Sequence, residues 1–211
     1  MATLTKEEVL EYIREGKSLE ETDLSWIDLN NEDLSNVNFR EATLTGAILT
    51  NCNLSGANLE GAFLAEANLT GANLTHTNLD LAFFQRSILI DADLSDSTAV
   101  EARFFISQLL RAKLRNIQAE NASFIDSEAD ESDFTGANLV GVNFRGASLK
   151  KTTFHQVDVS HADMRKVKMN FASFKDVKAD ETTMFYGKKP WDGQTDNVTD
   201  WDDKLPLYRD D

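Results

Sequence analysis

The chain has 211 residues, 41% of them hydrophobic, and a formal charge of −15 at pH 7. That length and apolar content suffice for one domain with a real core and exclude a disordered polyelectrolyte. The acidic excess predicts no direct nucleic-acid binding and no attachment to an anionic membrane, because both would repel it. A lone Cys52 excludes a disulfide framework, and with no leader-like opening segment it predicts a cytoplasmic protein. No apolar run approaches the roughly 20 residues of a membrane helix.

Residues 1–21 read as a capping helix and lead-in. Thr5 and Glu8 have the spacing of a capping box, Leu4 can staple onto Val9, and Gly16 falls where a helix stops. The pattern predicts a helix over residues 5–15 that lays a stripe of Val9, Leu10 and Ile13 on the structure after it.

Residues 22–186 are a repeat with a period of five. From Leu24 to Met184, every fifth residue gives 33 positions: 17 Leu, 8 Phe, 3 Met, 1 Val and 4 Ala, so none is polar. Two residues before each centre stands a second column, mostly Ala, Ser, Thr, Val or Ile, in which only Glu32 is charged. Ala57-Asn58-Leu59, Ala67-Asn68-Leu69 and Ala72-Asn73-Leu74 show the unit most clearly. The phase runs through all 33 units without an insertion, and both prolines, Pro190 and Pro206, lie beyond it.

A period of five fits neither regular element. On a helix it advances about 500°, so the apolar column would wander around the axis. On a flat strand an odd period flips the face at each unit. The chain must therefore turn a corner about once per unit, sending one large and one small residue inward.

These Ala-(Asp/Asn)-Leu-x-x units resemble the pentapeptide-repeat family. The resemblance implies an all-β solenoid, a right-handed quadrilateral β-helix with four units per coil. The phenylalanines support a twenty-residue coil independently. Phe84, Phe104, Phe124 and Phe144 step by twenty, as do Phe134, Phe154 and Phe174, and the two series differ by ten. They are predicted to stack on opposite sides of a rod of about 8 coils, with smaller residues such as Ala119, Ala129 and Val159 filling the flanks. The Asp and Asn residues before the centres are predicted to stack along the rod as hydrogen-bonded ladders, Asn38 with Asn58 and Asn78, and Asn53 with Asn73.

Residues 187–211 leave the period. Trp191, Trp201, Leu205, Leu207 and Tyr208 are available either to strap the last coil or to mediate dimerisation, as the C-terminal ends of gyrase-interacting family members do.

The chain shows no catalytic constellation. His76, His155 and His161 fall outward in different coils without metal-ligand spacing. Cys52 replaces Ala in the small column, where a buried thiol is inert. No glycine-rich phosphate loop is present. The reading is a protein that is not an enzyme and takes no cofactor.

Function must then sit on outward positions. With each side named by its first centre, the Leu24 and Leu29 sides are nearly neutral, whereas the Phe39 side is acidic. The Phe39 side carries Glu41, Glu60, Asp80, Glu101, Glu120, Asp158, Asp180 and Glu181. Family members with such a stripe act as mimics of duplex DNA toward gyrase or topoisomerase IV, so the resemblance makes a type II topoisomerase a candidate partner. Arg86, Arg103, Arg111, Lys113 and Arg115 interrupt that field. On the Leu24 and Leu29 sides, Phe83, Ile88, Ile90, Phe105, Ile106, Leu110 and Ile125 predict one apolar patch, bordered by Arg86, Arg103 and Arg111. Apolar groups beside arginine compose an interface centre. The first reading is a scaffold for an unidentified protein partner, a second copy of the chain among the candidates.

Overall fold

The computed structural model describes residues 4–186 and 189–193. The helix α1 spans Lys6–Arg14. Both halves of the capping box form: the Glu8 N–H donates to Thr5 Oγ1 at 3.3 Å, and the Thr5 N–H donates to Glu8 Oε2 at 2.8 Å. Gly16 follows the helix at φ +67, where a left-handed residue ends it. Val9 is fully buried, with Leu4, Tyr12 and Ile13 packed on the same core. Tyr12, not Leu10, completes the stripe, because positions 9, 12 and 13 share one helix face and position 10 lies about 100° round from Val9.

Beyond α1 the chain repeats one local structure. Each centre is buried, and its C=O accepts from the N–H three residues on, as in Ala42 N to Phe39 O at 2.9 Å. The second residue after the centre has positive φ, for example Asn36 at 58 and Asn51 at 55. A positive third position in such a turn is the signature that Gly and Asn favour. The residue before the centre holds the turn from outside: its side-chain oxygen accepts the N–H two residues on, as in Asp23 with Ser25 at 3.0 Å and Asn73 with Thr75 at 3.1 Å. This is the Asx device for local turns.

Each straight side pairs with the coil beyond. Parallel bridges join residues twenty apart in four rows, from Asp23–Thr43, Asp28–Ile48, Asp33–Asn53 and Asn38–Asn58 onward. Among the described residues only β1 (Thr153–His155) and β2 (Ser173–Lys175) are long enough to count as strands. The corners leave room for about one paired residue per side, so the β structure is a ladder of single bridges. The centre N–H bonds nineteen residues ahead, as in Leu74 to Asp93 O at 2.7 Å. Leu19 already sits in the inward column, fully buried, with its N–H on Asn38 O at 2.9 Å.

The core is built as the phenylalanine spacing predicts. Phe84 stacks on Phe104 at 4.7 Å and Phe104 on Phe124 at 4.6 Å, with the rings nearly parallel. Phe134, Phe154 and Phe174 form the second stack, at 5.3 and 5.2 Å. The stacks meet edge-to-face, Phe134 against Phe124 at 84° and against Phe144 at 87°, an arrangement aromatic quadrupoles favour. Hydroxyls in the small column are satisfied by backbone, as Thr77 Oγ1 donating to Leu54 O at 3.0 Å. Outside, Asn53 donates to Asp33 at 2.9 Å, Asn73 to Asn53 at 3.0 Å and Asn58 to Asn38 at 3.2 Å. Asn78 leaves its ladder and donates to Glu60 instead.

The phase slips once, at the last unit. Asp163 pairs with Met184, a step of 21 residues where every other bridge steps 20. The Asp180 carboxylate accepts the N–H groups of Thr182 and Thr183, both at 3.0 Å, and so accommodates an extra residue in the corner. Thr183 becomes the small inward residue at 3% exposure, Met184 turns outward at 42%, and Phe185 packs on the core. The column that predicts Met184 as a centre is therefore wrong by one residue there. Pro190–Gly193 then forms a 3-10 turn whose Trp191 lies 5.9 Å from the Phe174 ring and 5.6 Å from Phe185. Trp201, Leu205, Leu207 and Tyr208 lie outside the described residues.

Two measurements check this phase. Leu74→Asp places an isolated carboxylate in the core at a cost of several kcal/mol, comparable with a domain's whole stability, and should abolish the β spectrum. Gln108→Ala, outward and exposed, should cost under about 0.5 kcal/mol. At the last unit, Phe185→Ser should lower the midpoint of denaturant unfolding by more than Met184→Ser, the reverse of what an unbroken period of five requires.

Candidate interaction surfaces

The repeat turns two of every five side chains inward, so three outward columns carry all variable chemistry. Among the described residues seven large hydrophobics are exposed: Trp26, Ile48, Phe63, Leu81, Ile106, Phe171 and Met184. Six of them belong to the Leu24 and Leu29 sides, and Leu81 occupies the corner that leads into Phe83. The exposed apolar surface therefore faces one lengthwise half of the rod.

Of the predicted patch, Ile106 is exposed at 49%, whereas Phe83, Ile88, Ile90, Phe105, Leu110 and Ile125 are half-buried. Stacking explains the difference: each coil covers part of the one below. Arg86 N donates to Phe105 O at 2.9 Å, Asp91 N to Leu110 O at 3.0 Å and Ile106 N to Ile125 O at 3.1 Å, which holds these residues in neighbouring coils. Phe83 is sandwiched. Phe63 stacks on it from below at 5.0 Å, and the Arg103 guanidinium lies 4.8 Å from its ring centre. Arg111 is occupied by a two-point pair with Asp91, both bonds 2.7 Å. Phe63, Ile48 and Trp26 extend the patch beyond its predicted limits. Phe63 was legible one coil before Phe83 in the same column. Trp26 was not, because its exposure depends on the indole lying flat over Gly46, where a Cβ would meet the ring at 2.2 Å.

The acidic stripe is less free than its composition predicts. Glu41 pairs with Arg40, and Glu120 accepts from Asn138. Asp80 accepts the Val100 N–H at 2.8 Å. Asp158 binds Lys178 at 2.6 Å, and Asp180 caps the slipped corner. Glu60 accepts from Asn78. Among the described residues only the Glu101 and Glu181 carboxylates of the stripe lack a partner. Val100, Val140 and the exposed Leu81 interrupt it along the same side.

Cys52 is buried, its Sγ donates to Leu29 O at 2.8 Å, and burial pushes the thiol up to about 11. His155 meets Ser173 at 2.7 Å and His161 meets Thr182 at 2.6 Å, in different coils. Among the described residues no group of three His, Cys, Asp or Glu converges as metal ligands, and no helix is long and apolar enough to cross a membrane.

Fold and surface together define a repeat scaffold, a solenoid whose inside is invariant in pattern and whose outside varies. The chain belongs to the pentapeptide-repeat family: the family's profile matches in eight copies, over residues 18–56, 47–86, 130–165 and 143–178. No curated protein sequence matches it significantly. Among solved structures it is similar to HetL, a pentapeptide-repeat protein involved in heterocyst differentiation regulation from the cyanobacterium Nostoc sp. strain PCC 7120. That match has 24% identity over 85% of this chain and 98% of HetL, with a TM-score of 0.48. It is also similar to QnrB1, a plasmid-mediated fluoroquinolone resistance protein, at 14% identity over 78% of this chain and 85% of QnrB1, with a TM-score of 0.57. At that identity the likeness to QnrB1 is one of fold.

Several outward carboxylates sit below the ordinary carboxylate range. Hydrogen bonds from Ser25 and Ser35 lower Asp23 and Asp33, and Arg111 and Arg165 lower Asp91 and Asp163. A depressed folded value means that the native state binds fewer protons than the unfolded chain. The stabilisation is thus complete above the unfolded value of about 4 and is lost as pH falls through the folded values. The melting temperature should be level between about pH 5 and 7 and fall below about pH 4. A melting temperature that rises on acidification would contradict these assignments.

Proposed function

We propose that the protein is a non-catalytic interaction scaffold that engages a protein partner through the apolar Leu24–Leu29 half of the rod. The frame is a right-handed, four-sided helix of about eight coils, with α1 covering its first coil and Trp191 its last. The observation that carries the reading is the segregation of all seven exposed large hydrophobics to that half and its bounding corner. Large hydrophobics exposed along one side of a monomer mark interaction sites when they gather, as they do between Trp26 and Ile106. Aromatic rings backed by arginine, as in Phe63–Phe83–Arg103, match the composition of interface centres. The covered coil ends leave the sides as the place for recognition.

The second reading is a DNA-mimicking modulator of type II topoisomerases. The charge of −15 supports it, and the internal pairing of most stripe carboxylates weighs against it, because a phosphate mimic needs free, projecting anions.

Phe63→Ser combined with Phe105→Ser should keep the circular dichroism and melting of the wild type while losing the proteins that the wild type captures by cross-linking. Unchanged capture would remove the apolar half as the working surface. In parallel, gyrase supercoiling left untouched at high micromolar protein, with and without a quinolone, would remove the topoisomerase reading.

A further inference from the structure

The corner between the Leu24 and Leu29 sides carries one column of outward residues: Glu66, Arg86, Ile106, Asp126 and Gly146. All are positive-φ corner positions. Cross-coil bonds stack them in that order: Glu66 N to Gln85 O at 2.9 Å, Arg86 N to Phe105 O at 2.9 Å, Ile106 N to Ile125 O at 3.1 Å and Asp126 N to Arg145 O at 3.0 Å. About 4.8 Å separates successive levels. Counted from Ile106, a cation stands one level down and an anion one level up. An anion, Glu66, stands two levels down, and a cation, Arg145, two levels up in the adjoining column. The corner is antisymmetric in charge about an apolar centre, within the column at the first levels and with the adjoining Arg145 at the second. Among the described residues none of the Glu66, Arg86 and Asp126 side chains has a hydrogen bond or ion pair within the protomer, and Arg145 attracts Asp163 without a hydrogen bond, whereas Arg111 and most of the stripe carboxylates are paired.

Antisymmetry about an apolar centre is what a surface needs to bind a second copy of itself head to tail. A two-fold axis perpendicular to the rods, at the level of Ile106, inverts the order of levels and keeps the columns aligned. It sets Ile106 against Ile106 and Phe105 against Phe105. Arg86 then meets Asp126 of the second copy, and Glu66 faces Gly146 with Arg145 diagonal to it in the adjoining column, each contact occurring twice as an isologous interface requires. Parallel rods would instead put Arg86 on Arg86 and Asp126 on Asp126, which like-charge repulsion disfavours. Arg103 meets its own copy at the flank of the contact, where it lies over the Phe83 ring.

We propose that this corner is a homodimer interface, two rods packed side by side and antiparallel about Ile106. The proposal rests on the interaction-scaffold reading and names the partner as a second copy. Nothing in it uses the chain ends.

Charge reversal tests it. Sedimentation velocity should show a wild-type dimer, and Arg86→Asp and Asp126→Arg should each weaken it about tenfold or more, since every protomer contributes both residues. The double variant Arg86→Asp with Asp126→Arg should dimerise again, because the pair is restored with its sign exchanged. Ile106→Cys, at the axis, should cross-link to itself under mild oxidation, with the buried Cys52 remaining reduced. A monomeric wild type overturns the proposal, as does a folded double variant that stays monomeric, or an Ile106→Cys protein that gives no linked dimer. If the wild type is monomeric yet its capture of other proteins is lost on Phe63→Ser with Phe105→Ser, self-pairing fails and the scaffold reading stands. If neither self-association nor capture responds to these changes, both fail.

Discussion

Every level of this structure depends on the corner that the backbone turns every five residues. Between corners, each straight side offers one residue for pairing, so a single coil cannot hold itself. Its N–H and C=O groups find partners only on the coils above and below, as the unbroken series of bonds from Leu19 to Met184 shows. Buried backbone groups without such partners would cost about as much as lost hydrogen bonds. The array is therefore stable as a stack, in which each coil serves as template for the next. At the two ends of the described stack stand α1 and the Trp191 turn. The slip at Asp180 occurs in the last coil of the described residues.

The same corner sets the core. Two residues per unit point inward, and the interior is only as wide as two facing side chains. Seven phenylalanines fit because they stack at twenty-residue intervals and because the two stacks interlock edge-to-face across the axis. Small centres such as Ala119 and Ala129 on the flanking sides keep the volume constant where the rings are largest. Among the described residues the interior is filled by apolar side chains, which leaves the variable chemistry to the outer columns. Outer columns are free to vary in chemistry but not in position. Their spacing along the rod is set by the coil rise and across it by the side length. Charges on such a grid are ordered by register, as the order around Ile106 is.

The sequence by itself determined the architecture, because its period of five is incompatible with helix and flat strand alike and its phenylalanine intervals give the coil length. It determined the capping box of α1 and which columns face water. Only the tertiary structure decided three further matters. Met184 faces outward, because a turn capped by Asp180 absorbs an extra residue, and no one-dimensional column shows that. Most of the predicted patch is half-buried while Trp26 and Phe63 stand exposed, because coverage depends on what the neighbouring coil carries twenty residues away. Glu60, Asp80 and Glu120 are engaged in hydrogen bonds and Arg86 and Asp126 are not, because whether a charge is free depends on the geometry of side chains from adjacent coils. Column membership is a property of the repeat and can be counted along the chain. Exposure and pairing are properties of contacts between coils and exist only once the chain is wound.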